Sequence, residues 1–209
     1  NTLDKKYNSI NYGFQGYGIH QALYILRNDK SSNSKDINIL ITAPWHNWRS
    51  LCLPDFTIGS PRYKFYKKLN LIKNEGKCRD TFDIFPNILK RLFWAVTYRS
   101  KFYSLAQKAM YNFNKNNFEL YLEIIKEINR LSIKRNERFI VGFINSNVQE
   151  LKYFEILKRL NIEHIDLTLA DYEQNRDIAL IINKYDKHPS SKANYLKANL
   201  IHNYLNNLN

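Results

Sequence analysis

The sequence predicts an α/β domain organised around a mainly parallel sheet. Two apolar runs, residues 37–43 and 138–144, have the length and β-branched content of buried strands. Amphipathic segments with helical spacing lie between and around them, and the alternation of the two types runs along most of the chain. With 209 residues, 44% of them hydrophobic and 14% aromatic, the chain is long and apolar enough to bury one sizeable core, which excludes disorder as its main state. No run approaches the roughly 20 apolar residues that cross a bilayer, and no N-terminal stretch reads as a signal peptide.

The elements follow in order. Ser9-Ile10-Asn11-Tyr12-Gly13-Phe14 reads as a short strand ending in a glycine-bounded turn. From Tyr17 to Asn28 the spacing is helical, with Ile19, Leu23 and Leu26 on one face. The run Ile37–Ala43, closed by Pro44, suits a buried parallel strand. Periodicity is then lost over about 44–80, where Pro44, Pro54, Pro61, Gly59 and Gly76 predict a long irregular insertion. A helical insertion follows over about 81–135, broken near Asn112–Asn117. Its second part, Phe118 to Ile133, lines up Leu120, Ile124, Ile125, Ile128 and Leu131. Residues 138–144 form the clearest strand. A helix (Gln149 to Leu160), a short strand (Glu163 to Leu167) and a final amphipathic helix from near Ser190 toward Leu205 complete the order. There is no internal repeat and no low-complexity linker, so one domain spanning 1–209 is expected.

Net charge is +13, from 32 Lys and Arg against 19 Asp and Glu. Such a balance suits nucleic acid, an anionic surface or an acidic polymer. The cations are scattered, however, in a chain rich in Asn, Lys and Ile, and no nucleic-acid reading motif occurs, so a specific nucleic-acid partner is not expected. Cys52 and Cys78 have no metal-ligand spacing; they are compatible with one bridge or with two free thiols. No metal or cofactor is called for.

Two places carry chemistry. In Tyr185-Asp186-Lys187-His188-Pro189-Ser190-Ser191, Asp186 and His188 stand two apart just before a helix. Pro189 restrains the backbone, and Ser190 or Ser191 can cap the helix. A carboxylate beside an imidazole is what a hydrolase uses to orient a general base and stabilise its charged form. Alone, Asp-x-His is weak, being equally a loop histidine beside a solvated acid. The second place is Asn11-Tyr12-Gly13-Phe14-Gln15-Gly16-Tyr17-Gly18, a glycine-rich turn opening a helix, where close backbone approach and free N–H groups favour negative charge. Its glycine order is not that of a dinucleotide fold.

Taken together these segments resemble the SGNH/GDSL hydrolases. Asp186-Lys187-His188-Pro189-Ser190 is similar to the family's last block, although Ala193-Asn194 stand where Gly-His is common. Asn11 to Gly18 resembles the second block, in which a backbone N–H joins the oxyanion hole; Gly16 is the matching position. The third block, normally Gly-x-Asn-Asp, is replaced by Ala43-Pro44-Trp45-His46-Asn47-Trp48-Arg49, followed by Gly59-Ser60-Pro61-Arg62-Tyr63, a pairing similar to a bacterial subgroup.

The resemblance implies a three-layer α/β/α, flavodoxin-like fold with a parallel sheet. It implies His188 and Asp186 as catalytic residues and Gly16 with either His46 or Asn47 at the oxyanion. Trp45 and Arg49 are implied at the substrate, an ester such as an acylated carbohydrate or lipid-linked compound, in an exported or periplasmic setting. The matches cover roughly residues 9–63 and 180–207.

The family's Gly-Asp-Ser block is absent from these residues. Its place is upstream of the Asn11 strand. The resemblance therefore implies either a serine on a preceding first strand or a nucleophile that has been lost. Ser9, Ser190 and Ser191 are poor substitutes. A domain without its first strand exposes a strand edge, which invites completion by an upstream segment or homo-oligomerisation. Two other classes remain: a catalytically inactive carbohydrate-binding or scaffold domain, with Trp45, Trp48, Tyr63, Phe65 and Tyr66 available for stacking, and, last, a nucleic-acid binder supported by charge alone.

Overall fold

The structure is a computed structural model that describes residues 8–13, 16–29, 36–43, 45–52, 57, 59–78, 105, 109, 118–144, 148–169, 180–181 and 188–207. In chain order the elements are α1 (Ile19–Asn28), β1 (Ile37–Thr42), α2 (Trp45–Ser50), β2 (Pro61–Tyr66), a single 3-10 turn (Lys67–Leu69), β3 (Leu71–Lys77), α3 (Glu119–Lys134), β4 (Arg138–Phe143), α4 (Val148–Arg159), β5 (His164–Asp166) and α5 (Ser191–Asn206). They fall into two compact units. One gathers Asn1–Tyr12, Ile37–Ala43 and Phe139–Asn209; the other holds Gly13–Asp36 and Pro44–Arg138.

The first unit is the α/β part: a parallel three-stranded sheet in the order β1-β4-β5, accompanied by α4 and α5. Val141, Gly142 and Phe143 of β4 stand opposite His164, Ile165 and Asp166 of β5. On the other side the Ile144 N–H donates to the Thr42 carbonyl at 3.2 Å, extending the ladder to β1. Every residue of β4 from Phe139 to Phe143 is buried, as its unbroken apolar run requires of a central strand. Gly142 is needed there, because a β-carbon would come within 2.7 Å of Leu167 Cδ1 and 2.9 Å of Ile41 Cδ1. Ile140, Ile165 and Leu167 form a core with Leu205 of α5.

The second unit is built on α1 and α3. Ile19, Leu23 and Leu26 of α1 are buried, as are Tyr121, Ile124, Ile125 and Ile128 of α3. Each such side chain contributes about 1.5–3 kcal/mol on burial. The antiparallel hairpin β2–β3 packs beside both helices. Arg27 ties the three together. Its Nη2 donates to the Ile72 carbonyl at 3.1 Å and to Glu127 Oε1 at 2.8 Å, and its guanidinium lies 5.2 Å from the centre of the Tyr63 ring. Arg135 Nη2 donates to the Leu26 and Asp29 carbonyls, satisfying the C-terminus of α1.

Three sequence expectations differ from the structure. Ser9–Gly13 is exposed and belongs to no strand, Ile10 and Tyr12 included; an alternating segment becomes a strand only where a ladder and a buried face receive it. Residues 44–80 are not wholly irregular, since they contain α2 and the antiparallel hairpin β2–β3, whose register shifts between Pro61 and Tyr63. The hairpin turns on Asn70, which adopts φ 45°, a conformation asparagine accepts better than most residues. Finally, β1 is half-buried rather than enclosed. Ile41 is 39% exposed because, among the described residues, β1 ends the sheet. The strand expected over residues 9–14 ends on Phe14, which lies outside the described residues.

Candidate functional site

The glycine-rich turn and α2 meet at the start of α1. Gly16 adopts φ 83°, the left-handed region that glycine alone enters without strain, and so reverses the chain into the helix. Gly18 is the residue before the first turn of α1. Its N–H donates to Gln21 Oε1 at 2.7 Å, while Gln21 Nε2 donates to Ser60 Oγ at 2.6 Å. The buried Gln21 thus closes half a capping box and fastens the helix start to the beginning of the hairpin. A β-carbon on Gly18 would lie 2.8 Å from Arg49 Cβ and 2.9 Å from His20 Nδ1, so α1 and α2 approach as closely as glycine permits.

The short helix α2 carries Trp45, His46, Asn47 and Arg49. Arg49 Nη1 donates to the Tyr17 carbonyl, which joins α2 directly to the glycine-rich loop. Trp45 meets the His46 ring edge-on, with centroids 6.0 Å apart. Asn47 is fully buried, and Ser50 Oγ donates to the His46 carbonyl at 3.0 Å. Just past α2, Cys52 is bonded to Cys78 at the end of β3, with Cα atoms 5.3 Å apart. Of the two cysteine states the sequence allows, the structure has the bridge. The Cys78 N–H donates to the Ser60 carbonyl at 2.8 Å, so the bridge, Ser60 and Gln21 form one continuous connection around the site.

Beneath this lies His20, fully buried, with neither ring nitrogen hydrogen-bonded. Burial first, then the neighbouring His46 and Arg49, lowers its pKa to about 3. Burial and then Arg49 lower that of His46 to about 4. Both imidazoles are therefore neutral at neutral pH, beside a guanidinium that keeps its charge. A neutral imidazole can donate one N–H to a developing oxyanion without a prior proton, and a glycine turn exposes backbone N–H groups to the same end.

His188 belongs to the sheet-bearing unit. It is exposed, in a loop fixed on its C-terminal side. Pro189 bridges Ile181, the Ser190 N–H donates to the Leu180 carbonyl at 2.9 Å, and Ser190 Oγ accepts from the Ala193 N–H at 3.2 Å to cap α5. Asp186 lies outside the described residues. Gly16, Trp45, His46, Asn47 and Arg49 all belong to the other unit, where the structure gathers them at one end of α1.

No family model, no curated protein and no solved structure matches the chain.

Chemistry at the site therefore rests on these residues. Among the described residues no group of three or more His, Cys, Asp or Glu could hold a metal ion, and no helix is long and apolar enough to cross a membrane. The sequence assigns no role to His20 or Gln21, and it offers Ser60 only as part of the 59–63 segment. His20 stands three residues before Leu23 and so on the buried side of α1, a spacing that could have drawn attention to it. Gln21 three residues after Gly18 is a capping-box spacing. Ser60 offers no local signal, because its partner is 39 positions away.

Proposed function

We propose that the chain is the larger part of an SGNH-type serine hydrolase domain acting on esters, in a three-layer α/β/α arrangement whose first strand and nucleophilic serine come from an upstream segment. The observation that carries the reading is the left-handed Gly16 turn, tied to α2 through Arg49 and the Tyr17 carbonyl. It brings a glycine-opened helix start and a side-chain donor to one place, as an oxyanion site needs. The half-exposed apolar strand β1, which ends the sheet among the described residues, gives further support, since a neighbouring strand would cover Ile41. The Cys52–Cys78 bridge supports an oxidising compartment, in line with export.

In this mechanism the serine Oγ attacks the ester carbonyl carbon while His188 accepts the hydroxyl proton and Asp186 orients the imidazole. Negative charge develops on the carbonyl oxygen, held by the Gly16 N–H and by His46. His46 is preferred over Asn47 because Asn47 is wholly enclosed, whereas His46 is half-buried, neutral and framed by Trp45. The protonated His188 then delivers its proton to the departing alcohol, and water, activated by the same imidazole, cleaves the acyl-enzyme. Trp45 faces the acyl or sugar group, and Arg49 holds the loop.

The test uses the full-length protein with its upstream segment, a fluorophosphonate probe, and a panel of aryl esters and acetylated sugars. The expected result is covalent labelling of an upstream serine, with His188→Ala lowering kcat by about a thousandfold or more. Absence of both labelling and turnover in the wild-type protein overturns the hydrolase reading. Sugar affinity that survives His188→Ala without any turnover assigns an inactive binding domain instead.

A further inference from the structure

The β2–β3 hairpin has a surface that its own unit does not explain. Between Pro61 and Cys78 it carries Arg62, Lys64, Lys67, Lys68, Lys73 and Lys77 against one carboxylate, Glu75. That carboxylate is already engaged by Arg62 and by the Tyr66 hydroxyl, which donates to it. Lys67 is ion-paired to Glu119 of α3 at 2.7 Å. Lys64 and Lys73 stand directly opposite each other across the ladder, both exposed. Like charges in that position repel, and an anion over the pair relieves that repulsion; the Lys64 ammonium lies 5.3 Å from the centre of the Tyr66 ring.

Two positions nearer the turn, past Phe65 and Ile72, Tyr66 stands opposite Leu71 on the same face as the two lysines, by the alternation of strand side chains. At the turn itself Leu69 is 70% exposed and Leu71 48%, on either side of Asn70. Asn70 closes the turn with its N–H on the Lys67 carbonyl, so the two leucines sit on a rigid support. Two exposed leucines at the tip with lysines behind them form an apolar point on a basic collar.

We infer that the tip of the β2–β3 hairpin docks the protein on an anionic phospholipid surface, with Leu69 and Leu71 entering the interface and Lys64, Lys68 and Lys73 lying among the headgroups. The cationic excess fits an anionic surface by charge complementarity. The leucines decide for lipid over a soluble polyanion, because they gain only from an apolar phase. The inference is independent of ester hydrolysis.

Co-sedimentation of the protein with phosphatidylcholine vesicles, and with vesicles of phosphatidylcholine mixed with phosphatidylglycerol, tests it. Binding is expected to the mixed vesicles alone and to weaken as salt rises. Each lysine near the surface changes partitioning about fivefold, so Lys64→Gln with Lys73→Gln lowers it about 25-fold. Leu69→Ser with Leu71→Ser lowers it about tenfold while leaving any binding to heparin or an oligonucleotide unchanged. Both positions pairs are exposed, and the lysine variant is expected to melt no lower than wild type, which separates loss of docking from loss of fold. Equal binding to both vesicle types, or vesicle binding indifferent to the leucine substitutions, overturns the inference; the second outcome together with tight heparin or oligonucleotide binding assigns the face to a soluble polyanion.

Discussion

Arg49 donates from Nη1 to the main-chain carbonyl of Tyr17, and that bond helps α2 to hold the loop that turns at Gly16. The contact links residues 32 positions apart and is charge-assisted, so its loss is felt in both stability and geometry. Arg49→Met is expected to destabilise the protein by about 1–3 kcal/mol and, on the proposed hydrolase reading, to lower kcat about a hundredfold with a smaller change in KM. Arg49→Lys keeps the charge without the planar fork and recovers part of the loss. Thermal melts and ester kinetics on the three proteins check this, and unchanged turnover in Arg49→Met would remove the loop from the proposed oxyanion site.

Stability is expected to fall in mild acid because of His20. Its pKa is about 3 in the folded chain against 6.5 for the ordinary group, held down by burial and by the facing His46 and Arg49. Below pH 6.5 the unfolded chain takes up a proton that the folded chain refuses, so stability is complete above about pH 7 and is lost as pH falls toward 3. For His20 alone the loss at pH 4.5 is roughly 2–3 kcal/mol. His20→Leu should flatten this part of the pH profile in denaturant titrations at pH 7 and 4.5. An identical slope in the variant would show that His20 is not the source.

The Cys52–Cys78 bridge closes a loop with a sequence separation of 26. A loop of that length limits the unfolded chain by about 3.5 kcal/mol. Reduction, or Cys52→Ser with Cys78→Ser, should lower the melting temperature. Because Cys78 also holds Ser60, which receives Gln21, the same change should loosen the start of α1. Hydrogen exchange at Gly18 and Gln21, compared with Ile128 in α3, reads this directly; a uniform change at all three would mean a purely global effect.

Gly142→Ala should cost about 1–3 kcal/mol, since the new methyl meets Leu167 and Ile41 at less than contact distance. Leu167→Ala in the same protein opens space and should return part of that loss, an interaction measurable as a double-mutant cycle. Strict additivity of the two changes would contradict the packing described for β4.

Much of the molecule was legible from local pattern. The 3.6-residue spacing of Ile19, Leu23 and Leu26, and that of Ile124, Ile125 and Ile128, identified α1 and the second part of the 81–135 segment as helices with the correct faces inward. The unbroken run from Phe139 to Phe143 identified the central strand, and the serines at 190 and 191 the start of α5, of which the structure uses Ser190 as the cap. These features depend on residues a few positions apart, and the chain's periodicity carries them.

The tertiary structure decided what depends on distant partners. It joined Cys52 to Cys78, paired Lys64 with Lys73 in a hairpin that proline and glycine had disguised, and left Ser9–Gly13 outside any strand. It also set the chemistry of His20. In the sequence that residue is a histidine on an apolar helix face; its neutrality comes from the removal of water and from Arg49 and His46, brought beside it by a helix that begins 25 positions later. Solvation and charge act through space, and only the folded chain brings those groups together.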